Sequence, residues 1–136
     1  TAPRNDSNSI LNFYCDCTFA HDPERERMTA EMNELALKLG FEGAKIKIGG
    51  GAVLNACSVL ENPPAFYYKR PKVKLGGGCF WDFAATACLF TEAGAHVSDF
   101  SGATLALNRP DGTFMNQCGV CYGSDPKLAR TLIDLF

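Results

Sequence analysis

The stretch Gly76-Gly77-Gly78-Cys79-Phe80-Trp81-Asp82-Phe83-Ala84-Ala85 carries a glycine-rich loop straight into an apolar helix. Small and apolar residues continue from Ala84 to Ala93, and Gly94 closes the run, the pattern of a helix start and stop. Asp82 then falls in the first turn. There the helix dipole favours its charge, and its oxygens can point out of the element towards a shared pocket where a cation would sit. An aspartate at a helix start also has an ordinary use, accepting from backbone N–H groups of its own first turn.

Working outward, the order of elements gives the fold class. Ile10 to Phe19 is apolar and aromatic, alternates at Phe13, Cys15 and Cys17, and reads as a strand. Asp22-Pro23 reads as an N-cap with proline at the first helical position. Met28, Met32, Leu35, Ala36 and Leu39 then recur at helical spacing up to Gly40, which predicts a helix of about four to five turns. Ala44 to Ile48 is a short strand, broken by Gly49, Gly50 and Gly51, and Ala52 to Leu60 predicts a second, largely buried helix. Strands are expected at Ala65 to Tyr68, His96 to Asp99 and Gly119 to Tyr122. Asp125-Pro126 caps a closing helix bearing Leu128, Leu132, Ile133 and Phe136. Strand and helix alternate, so the class is α/β, with a substantially parallel or mixed sheet flanked by helices on both faces.

At 136 residues and 46% hydrophobic content the chain fits one domain with a core of its own. A net charge of -2 excludes a general nucleic-acid binder, because no excess of lysine and arginine covers a phosphate backbone. Seven cysteines, mostly among apolar neighbours, read as reduced thiols and a cytoplasmic protein. No run approaches the roughly 18 apolar residues of a membrane span, and the polar opening from Thr1 to Ser9 lacks the apolar core of a signal peptide. The missing initiator methionine predicts a chain trimmed or cut from something longer.

Three other features invite chemistry. Lys45 to Leu54 passes from strand through Gly49, Gly50 and Gly51 into a helix, a corner whose free N–H groups suit phosphate. It lacks the Gly-Lys-Ser/Thr of a P-loop, and a tight turn explains the same glycines equally well. Lys69, Arg70, Lys72 and Lys74 could grip phosphate or sulfate, although such a run is more often a solvated loop. The pairs Cys15/Cys17 and Cys118/Cys121 could ligate zinc, but small buried hydrophobes are the better expectation.

The run Trp81-Asp82-Phe83-Ala84-Ala85, followed by Thr91-Glu92-Ala93-Gly94-Ala95, Val97-Ser98-Asp99 and Gly102, resembles the second signature of the inositol monophosphatase family. Gly50-Gly51-Ala52 through Asn55 and Cys57 resembles that family's Gly-Ser/Thr-Ala-Ala segment, and Ala65 to Tyr68 its Asp-Ala-Tyr strand. The resemblance spans roughly residues 46–136. It implies an α/β layered sandwich and a Mg²⁺-dependent phosphomonoesterase of inositol phosphates, fructose bisphosphate or 3'-phosphoadenosine nucleotides. By the same resemblance Asp82 would be a metal ligand, Gly50, Gly51 and Ala52 would line the substrate site, and Lys69 would stand near the substrate-selecting position. Gly51 replaces the family's usual serine or threonine, and the basic loop between Tyr68 and Trp81 is longer.

The family's Asp-Pro-x-Asp-Gly-Thr motif and upstream paired glutamates are absent from the 136 residues. Mg²⁺ asks for octahedral oxygen coordination, and phosphoryl transfer needs several carboxylates around the metal, so Asp82 alone cannot form the centre. No catalytic residue is expected within this chain alone. Residues 1–136 are therefore expected to be the C-terminal half of such a phosphatase, partnered by its N-terminal half and a small phosphorylated substrate, with a homo-oligomer left open. A non-catalytic anion-binding or regulatory module on the same fold is the alternative.

Overall fold

The computed structural model describes residues 9–76 and 78–136. The polar opening at 1–8 and the central glycine of the 76–78 run lie outside the described residues. Five strands form one sheet in the order β2-β1-β3-β5-β4: β1 Ile10–Cys15, β2 Gly43–Ile48, β3 Ala65–Lys69, β4 His96–Ser98 and β5 Val120–Gly123. β1 runs parallel to both β2 and β3, whereas β5 is antiparallel to both β3 and β4. The sheet is thus mixed. The antiparallel half follows from the missing helix between β4 and β5, since only a crossover element returns a strand in the same direction.

Side-chain alternation divides the core into two. Leu11, Phe13 and Cys15 of β1, with Phe66 and Cys121, pack under α1 (Arg25–Lys38) and α4 (Pro126–Leu135). Tyr14, Tyr67, Val120 and Tyr122 point to the other face, under α2 (Ala52–Glu61) and α3 (Phe80–Ala93). Each helix buries one stripe: Met32, Leu35 and Ala36 of α1, Asn55, Ala56 and Val59 of α2, Phe83, Thr86 and Phe90 of α3, and Leu128, Ala129 and Leu132 of α4. The period of three to four residues is what places them on a single side.

Three local expectations change. The first strand stops at Cys15, and Cys17–His21 is a 3-10 helix, which the Phe19 N–H starts by donating to Asp16 O at 3.0 Å. Asp22 is not the N-cap: its Oδ1 accepts from Glu24 N–H at 2.8 Å in a turn ahead of the helix, the capping position falls to Glu24 without a side-chain cap, and α1 begins at Arg25 and runs 14 residues, about four turns. The second helix is not largely buried, because Val53 and Leu54 on its outer side are exposed. Asp125 caps α4 as expected, accepting from Leu128 N–H at 2.9 Å.

Among the described residues no helix is long and apolar enough to cross a membrane.

Candidate functional site

Because β1, β2 and β3 are parallel, their C-terminal ends share one edge, and with them Asp16, Gly49 and Lys69. The chain leaves β1 for α1 on one face and leaves β3 for α3 on the other. Loops that part in this way open a crevice at the strand ends, the usual ligand position in an open α/β sheet. A cavity of about 200 Å³ lies there, lined by Asp16, Phe19, Met28, Tyr67, Lys69 and Arg70 among others.

The polar centre of the crevice is the Asp16 carboxylate. Its Oδ2 lies 2.6 Å from Lys69 Nζ, and its Oδ1 accepts from Asn55 Nδ2 and from Tyr67 OH, both at 3.0 Å. Asn55 is itself buried and gives a second hydrogen bond to Gly50 O at 3.1 Å, so α2 is tied to the glycine corner and to β1 together. Burial, and after it the neighbouring Asp16 charge, pushes the Tyr67 phenol well above its ordinary range, so Tyr67 stays a donor. Burial, then Asp16, pushes the Cys15 thiol up to about 12, which keeps it protonated and poorly nucleophilic. All seven cysteines are free, with Cys15 and Cys121 buried and Cys17, Cys88 and Cys118 exposed, so only one member of each suspected zinc pair is a core residue.

The glycine corner leads into α2 with no side-chain cap. Asn55 N–H makes the first helical bond, to Gly51 O at 3.0 Å, and helix geometry leaves the N–H groups of Ala52, Val53 and Leu54 without an intrahelical acceptor. These three N–H groups, just after Gly50 and Gly51, stand at the same strand-end edge of the sheet as Lys69. The second glycine loop is different. Asp82 Oδ2 accepts from Cys79 N–H at 2.8 Å, closing the first turn of α3 on itself. Gly78, just before this cap, accepts from Met115 N–H at 3.0 Å, and Met115 lines the crevice.

Other candidates are dispersed. Arg70 pairs with Glu31 and lies 4.9 Å from the Phe136 ring centre, so with Lys69 held by Asp16 two of the four cations of the basic run are already engaged. Asp99 accepts from Ser101 N–H, Ser101 Oγ and Ala103 N–H and ties its own turn. Asp111 stands 3.7 Å from Arg109 Nε. Among the described residues no three His, Cys, Asp or Glu side chains converge to hold a metal ion. Asp82, with one oxygen committed to Cys79, does not by itself fit the six-oxygen demand of Mg²⁺.

Sequence reading named the glycine corner and Lys69 as candidates but did not anticipate the network that joins Lys69 to Asp16, Tyr67 and Asn55. One signal was present: Asp16 is a charged residue directly after an apolar strand of a parallel pair, where the chain turns out at the ligand edge.

Residues 6–136 match the profile described as the inositol monophosphatase family. Among solved structures the chain is similar to the extragenic suppressor protein suhB from Bartonella henselae, with a TM-score of 0.56 and 18% identity over 98% of this chain and 43% of that one. It is similar to SaIMPase-II bound to inositol monophosphate, with a TM-score of 0.50 and 18% identity over 100% of this chain and 49% of the other. A staphylococcal IMPase-II aligns with a TM-score of 0.47 and 22% identity over 98% of this chain and 48% of its own. No curated protein sequence matches the chain significantly. The chain spans less than half the length of each of these solved structures.

Proposed function

The chain belongs to the inositol monophosphatase family, and from that premise we propose that it is the C-terminal half of a cytoplasmic, Mg²⁺-dependent phosphomonoesterase of a small sugar, inositol or 3'-phosphoadenosine phosphate. The observation that supports this reading is the helix start after Gly50, Gly51 and Ala52, which has no side-chain cap and stands at the same strand-end edge of the sheet as Lys69. Bare donors at a helix N-terminus bind a phosphoryl group without cost in reorganisation. The staphylococcal relative that holds inositol monophosphate supports a phosphorylated ligand of this size.

A separate feature supports the missing half. The outer side of α2 and α3 exposes Val53, Leu54, Trp81 and Leu89, which are 46%, 65%, 67% and 47% accessible. Apolar side chains so exposed on two adjoining helices call for a covering layer, and the N-terminal half is the proposed cover. In the whole enzyme Asp82 would give one oxygen to Mg²⁺, which supplies charge neutralisation of the phosphoryl group and an activated water. The remaining ligands would come from the N-terminal half. This chain's own share is to hold the substrate: backbone donors on one side, the Lys69 and Asp16 pair on the other.

The alternative, a free-standing anion-binding module, loses support from the engagement of Lys69 by Asp16 and Arg70 by Glu31. The deciding experiment is complementation. With the N-terminal half supplied and Mg²⁺ present, phosphate should be released from inositol monophosphate, fructose bisphosphate or phosphoadenosine phosphate. No release from any of the three removes the phosphatase reading.

A further inference from the structure

Asp16 and Glu31 engage the first two cations of the basic run, Lys69 and Arg70, but not the last two. Among the described residues neither Lys72 nor Lys74 meets a carboxylate, and no acidic residue occurs from Lys69 to Trp81. Interleaved with these lysines are Val73, which is wholly accessible, and Leu75, 68% accessible. This exposure does not come from a loose loop. Lys72 N–H donates to Asn116 O at 2.7 Å, and the buried Asn116 amide returns two hydrogen bonds, to Lys72 O at 2.9 Å and to Val73 O at 3.3 Å. A second attachment follows along the chain, where Met115 N–H donates to Gly78 O and Phe80 N–H to Thr113 O, both at 3.0 Å. Asp111, the one carboxylate of the bracing segment from Arg109 to Gln117, stands 3.7 Å from Arg109 Nε. Lys72 to Leu75 are thus displayed from a fixed base, and the ordering that a partner would otherwise have to impose is already met in folding.

We propose that Lys72 to Leu75 form a docking loop for an anionic membrane surface, with Val73 and Leu75 entering the boundary between headgroups and acyl chains and Lys72 and Lys74 lying at the level of the phosphates. Charge complementarity selects the sign of the surface, because two unpaired cations stand in a stretch that holds no acid. The apolar pair selects a bilayer over an acidic protein. A valine with no part of its side chain covered projects from the chain, and a protein partner would need a socket shaped to receive it. Fluid acyl chains close around an apolar group of any shape, and the four-carbon stems of the lysines can follow it while their ammonium groups stay among the headgroups. Two lysines and two aliphatic side chains make a weak, reversible attachment that salt opposes, not an anchor. The proposal is independent of the phosphatase reading.

The test is sedimentation with lipid vesicles, on the chain alone and with the N-terminal half supplied. Vesicles of phosphatidylserine and phosphatidylcholine in equal parts should carry both forms down at millimolar lipid and low salt, and phosphatidylcholine alone should not. Lys72→Gln and Lys74→Gln should each weaken the partition about fivefold, and Val73→Ser combined with Leu75→Ser about tenfold. All four side chains are exposed, so the urea midpoint should stay where it is and a lost partition cannot be laid to unfolding. Binding that survives the two serine substitutions would reduce the loop to charge attraction, which an acidic protein satisfies equally, and overturns the proposal. So does release by inorganic phosphate at constant ionic strength, which would assign the lysines to a soluble anion. Equal partition onto phosphatidylcholine alone, no partition onto either vesicle, or loss of binding once the N-terminal half is present would overturn it as well.

Discussion

The two glycine loops that lead into α2 and α3 look alike in sequence and differ in what they do with their backbone donors. At Gly49 to Gly51 the chain enters α2 without a side-chain cap, and Gly51 has no heavy atom within 4 Å of the place a Cβ would take. At Gly78 the chain enters α3 through a closed cap, Asp82 to Cys79, and a Cβ on Gly78 would stand 2.6 Å from Phe83 Cε2. One corner has no side-chain cap and open space around Gly51, the other is closed and filled. A satisfied donor set serves the fold, so of the two corners only the open one suits the substrate role proposed above.

The largest effect expected from this difference is Gly78→Ala. Gly78 has a φ of +95°, which an alanine adopts only with strain, and the Phe83 ring it would strike is fully buried and has no room to yield. The two costs together should destabilise the chain by about 2–4 kcal/mol in urea unfolding. Alanine at Gly51 should be tolerated within a few tenths of a kcal/mol of the glycine chain's stability, apart from the modest cost of a poor capping residue. Equal losses at the two sites would erase the distinction between a filled loop and an open one.

Next in size is Asp82→Ala. If the carboxylate holds the first turn of α3, its removal should cost about 1 kcal/mol, the ordinary worth of a helix cap. Asp82→Asn keeps an acceptor for Cys79 N–H and should cost less. That pair of variants separates the two uses of the residue: in the complemented enzyme Asp82→Asn should abolish most phosphate release while leaving the unfolding midpoint nearly unchanged. Retained activity in the asparagine variant would leave Asp82 as a cap alone.

What could be read in the sequence follows the same division. The helices and the strands of the parallel half were legible because their apolar periods and capping residues, such as Asp125-Pro126 before Leu128 and Leu132, are local signals. The mixed sheet was only partly so: β4 and β5 are three and four residues long, and their antiparallel pairing depends on a loop that no local pattern describes. The Asp16, Asn55, Tyr67 and Lys69 network was hidden for another reason. Its members are up to 53 positions apart and meet only because β1 and β3 pair in parallel with Asn12 opposite Ala65, which brings Asp16 beside Lys69 at the ends of both strands. Gly119 shows the same limit: expected as the first residue of a strand, it lies just before β5 with a φ of +66° and a Cβ position 2.4 Å from Lys69 O, a close approach that no local pattern announces.

The smallest effect is the sharpest test of the open corner. Gly51 has φ -85° and ψ -167°, the extended geometry that a capping serine adopts, and open space surrounds it. Gly51→Ser places a hydroxyl where it can accept from the N–H of Val53 or Leu54, and should stabilise the chain by a few tenths of a kcal/mol, up to about 1, through the cap and the loss of glycine's freedom in the unfolded state. The stabilisation would show that the corner is bare although a better cap fits it. A corner left uncapped at the expense of stability keeps its donors for something other than the fold. If the serine variant is instead less stable than the glycine chain, the N–H groups of α2 already have partners, and the contrast between the two loops disappears.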